Sequence, residues 1–143
     1  MTFDELNEEF KTDTQIDKFD LGNESLRIYG LISKYFGYFW EEKKIYQSLK
    51  FKYDKLYKDR WEYYQGKATD DEIYKNDPLE KRIIKQDLSV YLNQDKALQN
   101  AKFQMEMQEE KLALIEKAIK HIEGLNYTIK NAIDYLKFLQ GSA

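Results

Sequence analysis

Between Glu24 and Gln65 the chain runs for roughly 42 residues without a proline, and its apolar side chains recur at helical steps. Tyr29, Ile32, Phe36 and Phe39 form one set. Tyr46, Leu49, Tyr53 and Leu56, continued by Arg60 and Tyr64, form a second. This spacing predicts a single long α-helix of ~63 Å at 1.5 Å per residue. A compact domain of this length has a radius of gyration of only ~15 Å. The helix therefore breaks, projects, or finds neighbours in other subunits. The register of the stripe slips around Glu41 to Lys44, which marks either a bend or a change of packing partner. Gly66 is placed to end the helix in a left-handed conformation.

The rest of the chain is helical in pattern as well. Phe3, Leu6 and Phe10 predict a short amphipathic helix over residues 3 to 11, followed by a polar connection that ends in a break at Gly22-Asn23. After a polar stretch at 67 to 76, Asp77-Pro78-Leu79-Glu80 has an N-cap, a proline at the first helical position and a glutamate to close the cap. It predicts a short helix to about Leu92, with Asn93 and Asp95 offering another start. From Lys96 onward Leu98, Phe103, Leu112, Ile115, Ala118, Ile119 and Ile122 repeat at helical spacing, and Gly124 is expected to kink or stop the helix. Leu125, Ile129, Ile133, Leu136 and Leu139 then make a stripe close to heptad spacing. Such a stripe serves self-association, or it packs internally against Ile115 to Ile122. No strand pattern competes anywhere. The fold class is all-α, a long helix plus C-terminal helices. It is organised as an acidic arm (1–23), a long basic-aromatic helix with the short helix after it (24–92), and a C-terminal helical oligomerisation region (93–143).

Composition removes most chemistries. With no cysteine there is no disulfide framework and no thiolate, which fits a reducing, cytoplasmic setting. His121 has no second histidine or cysteine to join it as a metal ligand, so it reads as a packed or surface residue. The six glycines are scattered and begin no phosphate-binding loop. Glu41-Glu42, Asp70-Asp71 and Glu109-Glu110 are chain neighbours that point apart on a helix and read as solvated faces. No membrane-spanning run occurs. The expectation is a binding and assembly protein, not an enzyme, with no cofactor and no metal.

The formal net charge of −3 argues against a generic nucleic-acid coat, but the charge is unevenly placed. From Met1 to Glu24 acids outnumber bases eight to two, and from Lys43 to Lys67 bases outnumber acids eight to three. Either the middle meets an anionic partner, or arm and middle neutralise each other within or between subunits. The stretch KDRWEYYQGK, Lys58 to Lys67, sets rings beside cations. Lysine and arginine attract backbone phosphates, and unpaired bases stack on aromatic faces. Lys58, Arg60, Trp61 and Lys67, with Lys43, Lys44 and Lys55 upstream, are the candidate DNA-binding residues. At about 100° per residue, however, Lys58 and Arg60 lie roughly 160° apart on a helix. Arg60 shares the inner stripe with Tyr53 and Tyr64, whereas Lys58 shares the outer face with Lys44 and Lys55. Trp61, off the stripe, is the better stacking ring.

The segment KLYKDRWEYYQGK at residues 55 to 67, with FDELNEEFKTDTQID at 3 to 17, Ser33-Lys34 and Lys43-Lys44, resembles the UvsY family of recombination mediators of T-even-type phages. The likeness covers almost the whole chain, and the C-terminal third agrees more in pattern than in identity. It implies an all-helical, ring-forming homo-oligomer of six or seven subunits that binds single-stranded DNA. It also implies help in loading a RecA-like, UvsX-type recombinase onto strands coated by single-strand-binding protein, in the cytoplasm of the infected host. On that basis Lys58 and Arg60 look like DNA contacts, and Asp59 departs from an ideal basic run. The alternative is a helical adaptor or coiled-coil assembly protein with protein partners only.

Overall fold

The structure, a computed structural model, describes residues 1–66 and 83–141. Its α-helices are α1 (Phe3–Asp13), α2 (Leu21–Tyr64), α3 (Leu88–Gln94) and α4 (Lys96–Leu139), with a 3₁₀ turn at Lys85–Asp87. Among the described residues there is no strand. No described helix is long and apolar enough to cross a membrane.

Helix α2 is 44 residues long and uninterrupted. It begins at Leu21, ahead of the expected break. The Asn23 amide donates to the Asp20 carboxylate (3.0 Å), so Gly22 and Asn23 lie inside the first turn instead of ending a loop. The helix ends as its glycine predicts. Gly66 takes φ +71° and its N–H donates to the Tyr63 carbonyl at 3.0 Å. The chain divides into two compact units, Met1–Lys43 with Glu110–Ala143, and Lys44–Glu109. The division falls at Lys43/Lys44, where the apolar register slips. The slip is thus a change of packing partner along one continuous helix.

The first unit has the larger core. Ile28, Leu31 and Tyr35 of α2 and Ile115, Ala118, Ile119, Ile122, Leu125 and Ile129 of α4 are buried together, with Leu6 of α1. These positions recur every three or four residues, so each helix offers one continuous apolar face. Full burial of an isoleucine such as Ile122 contributes about 1.5–3 kcal/mol. Gly124 does not stop α4. It sits within the helix, because the buried residues on either side, Ile122 and Leu125, keep the seam in register across it. Leu125 and Ile129 belong to this chain's own core and Ile133 packs against it, whereas Leu136 and Leu139 are exposed.

Helix α1 is held by a capping box in which Glu5 N–H donates to Thr2 Oγ1 (3.1 Å) and Thr2 N–H to Glu5 Oε2 (2.7 Å). Lys34 of α2 reaches Glu9 at 2.7 Å and Asp13 at 2.8 Å. Arg27 donates to the carbonyls of Asp13 and Gln15, which fastens the connection after α1. Glu5, Glu9 and Asp13 of the arm are therefore engaged within this unit. Glu42, expected on a solvated face, is only 3% exposed. The Lys111 ammonium (3.4 Å) and the Met1 amino group (3.6 Å) offset its burial. His121 is exposed, with its ring edge against Phe10 at 5.4 Å.

The second unit has a smaller core of Leu88, Leu92 and Leu98, against which Tyr53, Leu56 and Tyr64 pack. The Asp77-Pro78 start signal lies outside the described residues. Ile84 is extended (φ −76°, ψ 151°), so the predicted helix to Leu92 does not run through it and helical structure begins afresh at Lys85. Asp95 provides the other predicted start, since its Oδ1 accepts from the Leu98 N–H at 3.0 Å and caps α4.

Candidate nucleic-acid interface

The second unit presents the C-terminal half of α2. Its inner stripe, Tyr53, Leu56 and Tyr64, is drawn onto the leucines of α3 and the start of α4. A helix with one face so placed turns the opposite face outward. Lys44, Phe51, Lys55 and Lys58 all fall within a sector of roughly 60° on that outward face, and each is exposed. Lys50 and Lys52, which flank Phe51 in the chain, are exposed as well.

Arg60 is placed differently. Its Nε donates to Asp95 Oδ2 at 2.6 Å, and its guanidinium lies 4.2 Å from the Tyr63 ring centre and 5.1 Å from that of Tyr64. Tyr64 donates its hydroxyl to the same Asp95 oxygen at 2.6 Å. The Arg60 side chain keeps 17% of its surface exposed and the Asp95 side chain 3%. Burial pushes the Asp95 carboxyl up. The Tyr64 hydroxyl, the Leu98 N–H and the Arg60 guanidinium outweigh that and hold it below the usual carboxylate range. One carboxylate thus caps α4 with one oxygen and ties α2 to α4 with the other. The roughly 160° between Lys58 and Arg60 leaves one on the outward face and the other within this node.

The remaining candidates are distributed around these two features. Lys43 is half-buried and is the last α2 residue of the first unit. Trp61 is partly exposed, away from the lysine face. Lys67 lies outside the described residues. Of the cationic candidates, the second unit therefore brings Lys44, Lys55 and Lys58 onto one face. Two further residues shape this region without a motif that singles them out. Phe51 is 69% exposed amid that face, and its spacing of four and seven from Lys55 and Lys58 is a readable signal. The local sequence marks Asp95 as a helix start alone, and its pairing with a residue 35 positions away has no local signature.

An exposed lysine face on a helix can hold a polyanion without reading sequence, and its grip weakens as salt rises. A family model described as recombination, repair and ssDNA binding protein UvsY matches residues 9–142. The chain is also similar to crystal structures of the recombination mediator protein UvsY of bacteriophage T4. In one lattice type the TM-score is 0.86 at 24% identity, covering 98% of both chains. In two others the TM-scores are 0.81 and 0.83 at 22% and 24% identity, covering 96% and 94% of this chain and 98% of each of those. No curated protein matches the sequence significantly.

Proposed function

The chain belongs to the UvsY family of recombination, repair and single-stranded-DNA-binding proteins, and from that premise we propose that it is a non-enzymatic recombination mediator. In this reading it grips single-stranded DNA through the outward face of α2 and promotes loading of a RecA-like recombinase onto strands coated by single-strand-binding protein. The observation that supports it is the clustering of Lys44, Lys55 and Lys58 on one exposed face of a chain whose net charge is −3. Arg60 acts through the fold, by fixing the end of α2 to α4 through Asp95, and Trp61 supplies a further ring near the helix end. Any nucleotide hydrolysis belongs to the recombinase.

A homo-oligomeric ring of six or seven subunits completes the reading. Leu136 and Leu139, with Tyr135 and Phe138 beside them, are exposed at the end of α4 and provide an apolar surface for self-association. Repetition of a weak lysine face around a ring raises the effective concentration of the contacts and turns them into a firm, salt-sensitive grip. The proposed place of action is the cytoplasm of the infected bacterial host.

The direct test is recombinase filament assembly on strands saturated with single-strand-binding protein. Adding this protein is expected to shorten the lag before assembly, and a Lys44→Gln/Lys55→Gln/Lys58→Gln variant is expected to lose the effect. An unchanged lag with the wild-type protein, at concentrations where it binds bare DNA, would reject the mediator role. Sedimentation of the wild type as a monomer at micromolar concentration would reject the ring.

A further inference from the structure

We propose that Phe51 is a base-stacking platform set in the outward lysine face of α2, so that the interface holds unpaired bases as well as phosphates. This rests on the DNA-binding reading above and adds a contact to it. Phe51 is 69% exposed, and no aromatic ring stacks on it among the described residues. A single exposed phenylalanine is ordinary on a protein surface. Its surroundings here are not. Lys44, Lys55 and Lys58 share its face at positions −7, +4 and +7, its chain neighbours Lys50 and Lys52 point about 100° to either side, and Asp54 is the one acid between Lys44 and Lys58. The face spans ~21 Å along the helix axis.

The occupant must suit both the ring and the ammonium groups. A protein surface would have to bring carboxylates into register with a non-polar pocket. The acidic arm, the chain's main run of carboxylates, has Glu9 and Asp13 engaged by Lys34, and the buried Glu42 is held by Lys111. A single DNA strand supplies both partners in its covalent repeat, a phosphate for each lysine and a flat base for the ring. Duplex DNA offers the phosphates but keeps its bases stacked on one another. The phenyl ring therefore gives this face a preference for the unpaired form that lysines alone cannot provide.

The test compares oligothymidylate with an abasic strand of equal length by fluorescence anisotropy. Three proteins are used: wild type, Phe51→Leu and Phe51→Trp. The wild type is expected to favour oligothymidylate. Phe51→Leu is expected to bind it roughly 5- to 100-fold more weakly, with abasic binding, salt slope and sedimentation mass unchanged. Phe51→Trp, which restores a flat ring, is expected to recover the preference. Equal discrimination by wild type and Phe51→Leu overturns the proposal while leaving the lysine grip in place. A changed oligomer mass in Phe51→Leu overturns it in favour of a contact between protomers. A wild type that holds neither strand at low salt overturns the DNA-binding reading and the stacking platform together.

Discussion

In the first compact unit Lys34 lies within 2.8 Å of both Glu9 and Asp13, and Lys111 lies against the buried Glu42. In the second, Lys55 and Lys58 are exposed on the face of α2 that points away from its core. Lysines of α2 thus stand in two different settings, Lys34 among carboxylates and Lys55 and Lys58 on an exposed face. Where a lysine meets carboxylates at short range on a packed face, it organises the fold. Where the helix buries only its opposite face, the lysines stay on the exposed surface. Even in the second unit the one arginine of the candidate set, Arg60, follows the first pattern through Asp95. Net charge says little about these outcomes, and the angular position of each cation around the helix says most of it.

The contrast can be broken or sharpened by substitution. Ile122, fully buried in the larger core, is expected to lose about 2–5 kcal/mol on change to alanine, measured by chemical denaturation. A loss near zero would mean that the seam is not the main support of the first unit. Asp95→Ala removes a helix cap and leaves Arg60 without its carboxylate, and is expected to cost about 3 kcal/mol. Tyr64→Phe, which removes the hydroxyl's bond to Asp95 and the longer one it accepts from Arg60 (3.4 Å), is expected to cost about 1 kcal/mol.

Acid is expected to act on both units through their engaged carboxylates. The Lys34 and Tyr38 hydrogen bonds hold Glu9 below its ordinary value, and Asp95 is likewise held low despite its burial. As pH falls, the unfolded chain therefore takes up these protons first. The associated stability is present above about pH 4 and is lost as the pH drops through the folded values. The denaturation midpoint should stay level from about pH 6 to 8 and fall below about pH 4, with a shallower fall in Asp95→Asn. Gly124→Ala is a smaller effect of opposite sign. Beyond its chain neighbours and the local helix backbone, nothing lies within 4 Å of where its Cβ would sit, and α4 is helical there, so a gain of up to ~1 kcal/mol is expected. Smallest of all, Lys55→Gln/Lys58→Gln should alter stability by no more than ~0.5 kcal/mol.

Much of this was legible from local pattern. Stripe periodicity gives the long helices, Gly66 gives the end of α2, and the slip near Lys43 marks where packing changes while leaving a bend equally open. The separation of Lys58 from Arg60 followed from helical geometry alone. What stayed hidden depends on pairs distant in the chain. Nothing near Arg60 names Asp95 as its partner, and nothing near Glu42 announces Lys111. The propensity of Gly124 predicts a kink or stop, but the seam formed with Ile28 and Tyr35 holds the helix through it. The C-terminal stripe divides for a similar reason. Leu125 and Ile129 have partners within the chain, and Leu136 and Leu139 do not share that core.

The claim that the two lysine sets differ in kind is tested most directly by the salt dependence of single-stranded DNA binding. Wild type, Lys34→Gln and Lys55→Gln/Lys58→Gln should be compared over one salt series. The double variant is expected to lose about 0.7 from the logarithmic slope for each phosphate contact removed, with its stability intact, and Lys34→Gln is expected to keep the slope and lose stability. The wild-type slope retained in the double variant, or a slope lost in Lys34→Gln, would contradict the account.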